Sequence, residues 1–297
     1  MSLQNIVLRL LEFWESKECV IVSGYDGEVG AGTMTPDTFF RVLGSRPCRV
    51  AYWQPSRRPD DGRYAQNPNR VQKHNQFQVI LKPIPSNCQE LFLESLIYLG
   101  VDVRIHDIRF DEDDWASPSL GAWGVGWQIM CDGLEITQFT YFQQAGGIDL
   151  NPNALEITYG LERLAMFLDN KSNLFELEWG NGASYAALKV PEEQQFSAYN
   201  FERADIEFLR QVFTLYREEA GRMLTHKLYL PAYDYLLKCS HTFNILDSRK
   251  AISVAERTAL MSAMRNLANQ IALQYLDLTE GAAPAPKSPG GKGENHG

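Results

Sequence analysis

Residues 71–81 run Val71-Gln72-Lys73-His74-Asn75-Gln76-Phe77-Gln78-Val79-Ile80-Leu81. A side-chain period of two is that of a strand. It sends Lys73, Asn75, Phe77 and Val79 to one face and His74, Gln76 and Gln78 to the other. Residues 48–58, from Cys48 to Arg58, read as a second strand, and the stretch between is rich in Pro, Asp, Gly and Asn. Two strands joined by such a polar segment form a long-looped hairpin.

Working outward, Ile6, Val7, Leu10, Leu11 and Trp14 stand at helical spacing in residues 5–18, and a short apolar strand, Cys19 to Val22, follows. Gly24, Gly27, Gly30 and Gly32 then space a loop that is neither G-x-G-x-x-G nor a P-loop. Taken alone it is a turn-rich connection. On the other side, a helix over 88–99 ends at Gly100. Strands are expected at 101–110, 123–131 and 134–143. Residues 155–168 carry an apolar-faced helix, with Gly160 near its start and a strand leading in. Beyond residue 200 the period is helical over 202–224, 232–245 and 253–278. The last of these opens on a capping box, Ser253-Val-Ala-Glu256. The tail 281–297 is expected to be disordered. The fold class is α+β: an antiparallel catalytic domain over 1–170, a mainly helical domain over 171–280, and the tail.

The chain has 297 residues, 44% of them hydrophobic, enough for a sizeable core without disulfides. Its five cysteines form no C-x-x-C pair, which argues against a disulfide framework and a cysteine-rich zinc site. No apolar run spans a bilayer and no basic n-region opens the chain, so a cytoplasmic protein is expected. Net charge is −9, a poor figure for gripping long nucleic acid unaided. Yet residues 41–73 hold eight Lys/Arg against two Asp. A basic patch in an acidic chain fits a small polyanion such as a nucleoside triphosphate.

Three constellations carry the chemistry. In "PSRRPDDGRYAQNPNR", arginines flank a loop, and guanidinium forks match phosphate oxygens. A solvated hairpin is the plainer reading, and on the return strand Phe77 offers a ring for a purine. In "SLGAWGVGW", Trp115 just before it joins Trp123 and Trp127 among small residues, which indicates an apolar pocket or a packed aromatic core. In "EITQFTYFQQAGG" and "EITYGLER", polar groups recur where a sheet should be buried, so they need partners or a ligand. Glu156 and Arg163 bracket Gly160 at one sheet–helix junction.

Those strings, with "LPAYDYLLKCSHTFNILDSRKAISVAER", resemble the alpha subunit of bacterial heterotetrameric glycyl-tRNA synthetase, in order over about residues 3–278. The resemblance implies a class II aminoacyl-tRNA synthetase fold, an antiparallel sheet flanked by helices, with the hairpin as motif 2 and "YGLER" as motif 3. It implies ATP and Mg²⁺ as cofactors. Arg58, with Arg57 as competitor, would take the α-phosphate and Arg163 the γ-phosphate. Arg63, Arg70 and Lys73 would serve the same ATP, with Phe77 stacked on adenine. The sheet segment is also similar to alanyl-tRNA synthetase. By that similarity Glu156 meets the ammonium group of glycine, and Glu135 with Gln138 line the ATP and metal side. Gln76, Gln78, Trp115 and Thr158 would close a pocket too small for a side chain. The implied partners are tRNA(Gly), a second alpha chain and a larger beta subunit that reads the tRNA. The chain departs from the family pattern at Gly24, at "YAQN" for "YGEN" (Gln66), at Lys73, and at Gln128 and Met130. Another adenylate-forming enzyme of this class and a non-catalytic paralogue are the alternatives.

Overall fold

The computed structural model describes residues 1–281. In chain order the elements are α1 (Leu3–Ser16), β1 (Val20–Ile21), α2 (Pro36–Val42), β2 (Cys48–Arg57), β3 (Lys73–Lys82), α3 (Cys88–Tyr98), β4 (Ile108–Glu112), β5 (Trp115–Ser117), β6 (Ala122–Cys131), β7 (Leu134–Ala145), β8 (Ile148–Asp149), β9 (Leu155–Gly160) and α4 (Leu161–Leu168). There follow the small hairpin β10 (Glu178–Gly180) and β11 (Ala183–Ser184), then α5 (Tyr185–Ala198), α6 (Ile206–Thr225), α7 (Tyr229–Ser248) and α8 (Val254–Thr279).

The main sheet runs β1-β2-β3-β9-β7-β6-β4, with β5 on β6 and β8 on β7. Every pair is antiparallel except β1 with β2. The expected antiparallel sheet with flanking helices is therefore the one observed.

Alternation gives the two faces different fates. On one, Ala51, Phe77, Val79, Leu81, Phe139, Leu155, Ile157 and Tyr159 pack under α1, α3 and α4 in a single core, which Leu174, Leu177 and Tyr185 extend. The other face is divided along its strands. Val50, Tyr52, Ile80 and Phe142 sit in a second core with Phe213 of α6, Tyr233, Leu236 and Leu237 of α7, and Met264, Ala268 and Ile271 of α8. Farther along the same strands, on that face, stand Ser56, Gln76, Gln78, Glu156 and Thr158, all buried and all polar. Helices cover the apolar half and the site occupies the polar half. The packing shows no break at residue 170, since the segment 171–185 joins the first core.

Three expectations are corrected. The segment 155–168 divides at Gly160, with a strand before it and a helix of only eight residues after. The strand expected at 101–110 starts at Ile108. Asp102 instead accepts from the Arg104 N–H at 3.1 Å, an Asx-type turn that competes with extended backbone. The tryptophans of 115–127 do not converge: Trp115 sits edge-on to Phe142, Trp127 packs against the opposite core, and Trp123 is exposed. At α8 half of the expected capping box forms: Ser253 Oγ accepts from Glu256 N at 3.2 Å, while the Glu256 carboxylate turns to Arg210. The segment 281–297, expected to be disordered, lies outside the described residues apart from Gly281.

Candidate active site

The polar half of the sheet floors a cavity of about 420 Å³. Its walls include Arg58, Arg70, His74, Gln76, Glu135, Gln138, Thr158 and Arg163. The antiparallel register explains how residues so far apart in the chain meet. Gln78 of β3 opposes Thr158 of β9, and Thr158 opposes Gln138 of β7, so one rung crosses the floor. The next rung along the same face is Ile80, Glu156 and Thr140.

Two arginines dominate the cavity. Arg58 follows the last residue of β2 and donates its Nε–H to Gly30 O at 2.9 Å. Arg163, in the first turn of α4, donates Nη1–H to Glu135 Oε2 at 2.6 Å. Arg58 is open to the cavity on one side. Lost hydration still pulls its pKa below the ordinary arginine value, against the charge of Asp61, and it stays a cation. Between them stands His74. Lost hydration first, then the charges of Arg58 and Arg163, pull its pKa down to about 3. It is a neutral imidazole at any physiological pH.

Glu156 is 2% exposed, and Thr33 donates to its Oε2 at 2.8 Å. Its Oε1 has no partner, and neither does Gln78 Nε2, although both are buried. Gln78 Oε1 accepts from Thr158 at 2.7 Å, which fixes the amide so that the orphaned nitrogen points away. Burial pushes the Glu156 carboxyl up to about 7, offset in part by the Thr33 hydroxyl. A buried acceptor and a buried donor left open on one floor form an incomplete polar cluster of the kind a ligand completes.

The glycine-spaced loop closes this end. Gly32 N donates to Gln76 Oε1 at 2.9 Å, and Tyr52 Oη donates to Gly32 O at 3.1 Å. Gly32 lies so close that a Cβ there would come within 2.1 Å of Gln78 Nε2. From α7, Tyr233 donates to Met34 O at 2.7 Å, and Tyr25 bonds Asp234.

At the far wall, Glu162 is buried and accepts from Asn75 Nδ2 at 2.6 Å and from Tyr185 Oη at 3.0 Å, which ties β3 to α4 and α5. Asp113 lies beside Glu135. Partial burial and the charge of Glu135 raise its pKa, and Gln138 Nε2 approaches it at 3.4 Å.

Several expected ligands stand elsewhere. Phe77 is fully buried and meets Tyr159 edge-on, because period two puts it on the face opposite Gln76; it cannot stack on a nucleotide. Lys73 shares that parity and pairs with Glu192 at 2.7 Å. Arg57 lies over the Phe196 ring and reaches Glu28 at 3.4 Å, which leaves the cavity to Arg58. Arg63 folds back onto the carbonyls of Asp60 and Gly62. Trp115 is on the site face but packs on Phe142, outside the cavity walls. Arg70 lines the cavity with its charge shared by Asp61 at 3.1 Å. Sequence reasoning passed over His74, Thr33, Asp113 and Glu162. For His74 the signal was present, since it shares the face of Gln76 and Gln78. For Thr33 and Glu162 only the three-dimensional contact reveals the role.

A sequence model of the glycyl-tRNA synthetase alpha subunit family matches residues 3–280. The chain belongs to that family. Membership makes it an aminoacyl-tRNA synthetase, of the glycine–tRNA ligase type. Two solved structures of the pyrrolysyl tRNA synthetase of Desulfitobacterium hafniense are also similar to it. Each is 13% identical with a TM-score of 0.41, covering 61% of this chain and 71% or 75% of the other. Among the described residues no helix is long and apolar enough to cross a membrane.

Proposed function

We propose that the chain activates glycine with ATP to glycyl-adenylate and passes the glycyl group to tRNA(Gly). The observation that carries this reading is one cavity walled by Arg58, Arg163 and Thr158, with the orphaned Glu156 Oε1 and Gln78 Nε2 just beyond its lining on the same sheet face. A small zwitterion suits this arrangement: its ammonium meets the Glu156 carboxylate and its carboxylate turns toward the arginines. Gly32, close over Gln78, leaves that end too shallow for a side chain. In this reading a glycine carboxylate oxygen attacks the α-phosphorus, the bond from that phosphorus to the β-bridging oxygen breaks, and pyrophosphate leaves. The carboxylate is already ionised at neutral pH, so no protein base is needed. Arg58 neutralises the α-phosphate and Arg163 the γ-phosphate, with His74 on the same cavity wall as a further hydrogen-bonding group. In the second step the terminal hydroxyl of tRNA attacks the adenylate carbonyl and AMP departs.

The oxygen donors fit Mg²⁺ entering with ATP. Among the described residues no group of three or more His, Cys, Asp or Glu forms a protein-only cage. Glu135 and Asp113 supply the one or two carboxylates that Mg²⁺ takes beside phosphates and water. When bound, the ion would neutralise phosphate charge, and Glu135, now paired with Arg163 at 2.6 Å, would be the carboxylate at hand to hold it.

We assign tRNA recognition to a separate beta subunit, with two alpha chains in the cytoplasmic assembly. The net charge of −9 supports this, because Arg57, Arg58, Arg63 and Arg70 are all engaged around the cavity and its loop. Amino-acid-dependent ATP–pyrophosphate exchange tests the core claim: exchange with glycine and not alanine supports it, and exchange with neither overturns it. Efficient charging of tRNA by the purified chain alone at physiological salt would overturn the beta-subunit assignment.

A further inference from the structure

The loop that leaves β2 at Arg58 and returns at Gln72 is held from outside the sheet. Its stem closes through Arg58 N–H to Gln72 O at 2.7 Å. Below that rung one carboxylate takes both sides of the loop. Glu193 of α5 accepts from Arg63 N at 2.7 Å through Oε1 and from Gln72 N at 2.8 Å through Oε2. Ser197, one turn on, donates to Glu193 Oε1 at 3.3 Å and accepts from Tyr64 N at 3.0 Å. Glu193 is 2% exposed. Burial raises its pKa, and the two backbone N–H groups oppose that rise.

The fit is close at the loop's bend. A Cβ at Gly62 would come within 2.9 Å of both Ser197 Oγ and the Phe201 ring. The tip also leans on the π-helical turn that continues α5, Tyr199–Arg203, with Tyr64 Oη donating to Glu202 at 2.7 Å. Neighbouring Glu192 pairs with Lys73 at the base of β3, so α5 grips the hairpin at consecutive positions. Nothing in Glu193 reaches the cavity. The two backbone groups it holds belong to the residue bonded to Arg58 and to the segment leading toward Arg70.

We propose that Glu193 is a positioning residue for ATP: it pins both stems of the 58–72 loop, so that Arg58 and Arg70 stand ready for the phosphates. The proposal rests on the reading of this cavity as the ATP site. Catalysis by positioning tolerates little slack, so loosening the loop acts on ATP before glycine, whose floor lies on β3 and β9. Gln at 193 keeps one acceptor oxygen and turns an NH₂ toward the other backbone N–H, which opens one stem and keeps the volume. Ser197→Ala removes the Tyr64 anchor and one donor to Glu193 but leaves both stem bonds in place.

The test is ATP–pyrophosphate exchange with the full chain, titrating ATP and glycine separately, for Glu193→Gln, Ser197→Ala and Arg58→Ala. Amide hydrogen exchange at Arg63, Tyr64 and Gln72 is followed in parallel. The expected result for Glu193→Gln is a KM for ATP raised about tenfold or more, a KM for glycine changed little, and faster exchange at Arg63 and Gln72. Ser197→Ala should show a smaller effect in the same direction. An unchanged KM for ATP in Glu193→Gln while Arg58→Ala is crippled overturns the proposal and leaves the ATP site standing. Equal rises for both substrates, tracking a fall in melting temperature, also overturn it by making Glu193 merely structural. Normal activity in Arg58→Ala removes the underlying reading and the proposal with it.

Discussion

Thr33 donates its hydroxyl to Glu156 at 2.8 Å across 123 residues of chain, occupying one carboxylate oxygen and leaving the other bare in a dry floor. The loop contributes a single hydrogen bond where a carboxylate has room for several. Burial outweighs that one bond, so Glu156 sits at about 7, well above the ordinary glutamate range.

That shift fixes a stability profile. The unfolded carboxyl titrates near 4.5, the folded one near 7. Between those values the native state holds the extra proton, so stability falls as pH rises through the window. Above it the buried charge costs about 3 kcal/mol. Glu156→Gln should melt higher than the parent at pH 8 and match it at pH 5. Calorimetry at the two pH values checks this. The same variant should raise the glycine requirement in exchange far more than the ATP requirement.

In the parent, protonation of Glu156 removes the countercharge for an ammonium group. The KM for glycine should climb as pH drops below about 7. In Glu156→Gln it should be high and flat. Exchange kinetics from pH 6 to 8 read both; a parallel slope in the two proteins would rule Glu156 out as the titrating group.

Gly32→Ala drives a methyl into Gln78, whose Cγ would stand only 2.3 Å away. Gln78 is fully buried and cannot swing aside without breaking its bond to Thr158. Overpacking of this kind costs about 1–3 kcal/mol, and here it displaces a floor donor as well. The variant should fold with a lowered melting temperature and lose glycine-dependent exchange.

Arg58→Ala and Arg163→Ala should each lower exchange on the order of a hundredfold, the loss that follows removal of one well-placed charge stabiliser. Both side chains are open to the cavity, so melting temperatures should move little. Arg163→Ala also frees Glu135 from its 2.6 Å ion pair. Its exchange should accordingly become more sensitive to Mg²⁺ concentration than that of Arg58→Ala.

Much of this molecule could be read from its residues. Alternation in β3 separates Gln76 and Gln78 from Phe77 and Val79, and the structure keeps that division. The same rule, carried one step further, excludes Phe77 from any ligand, because the apolar side of a half-polar strand is the side that packs. Helix positions beyond 200 follow from periodicity and from the Ser253 cap. Legibility stops where contacts are distant. Thr33 stands in a glycine-rich loop with no local pattern, and only the fold brings it under Glu156. Glu193 looks like any surface acid of a polar helix until the hairpin loop closes over it. The sheet–helix junction at Gly160 is legible but the helix start is not, because Leu155, Ile157 and Tyr159 alternate while Leu161, Leu164 and Ala165 recur at helical spacing, and the two patterns run together.

The second core has a further consequence. Val50, Tyr52, Ile80 and Phe142 of the sheet share it with α6, α7 and α8, so neither partner owns an apolar interior on that side. A chain cut after residue 200 would present those four side chains to water, and α7 would lose the seat for Tyr233 and Leu236. Sheet and helices should then melt as one cooperative unit, with a single calorimetric transition whose van't Hoff and calorimetric enthalpies agree. A minimal catalytic fragment made by trimming the helices should be recovered aggregated, not folded.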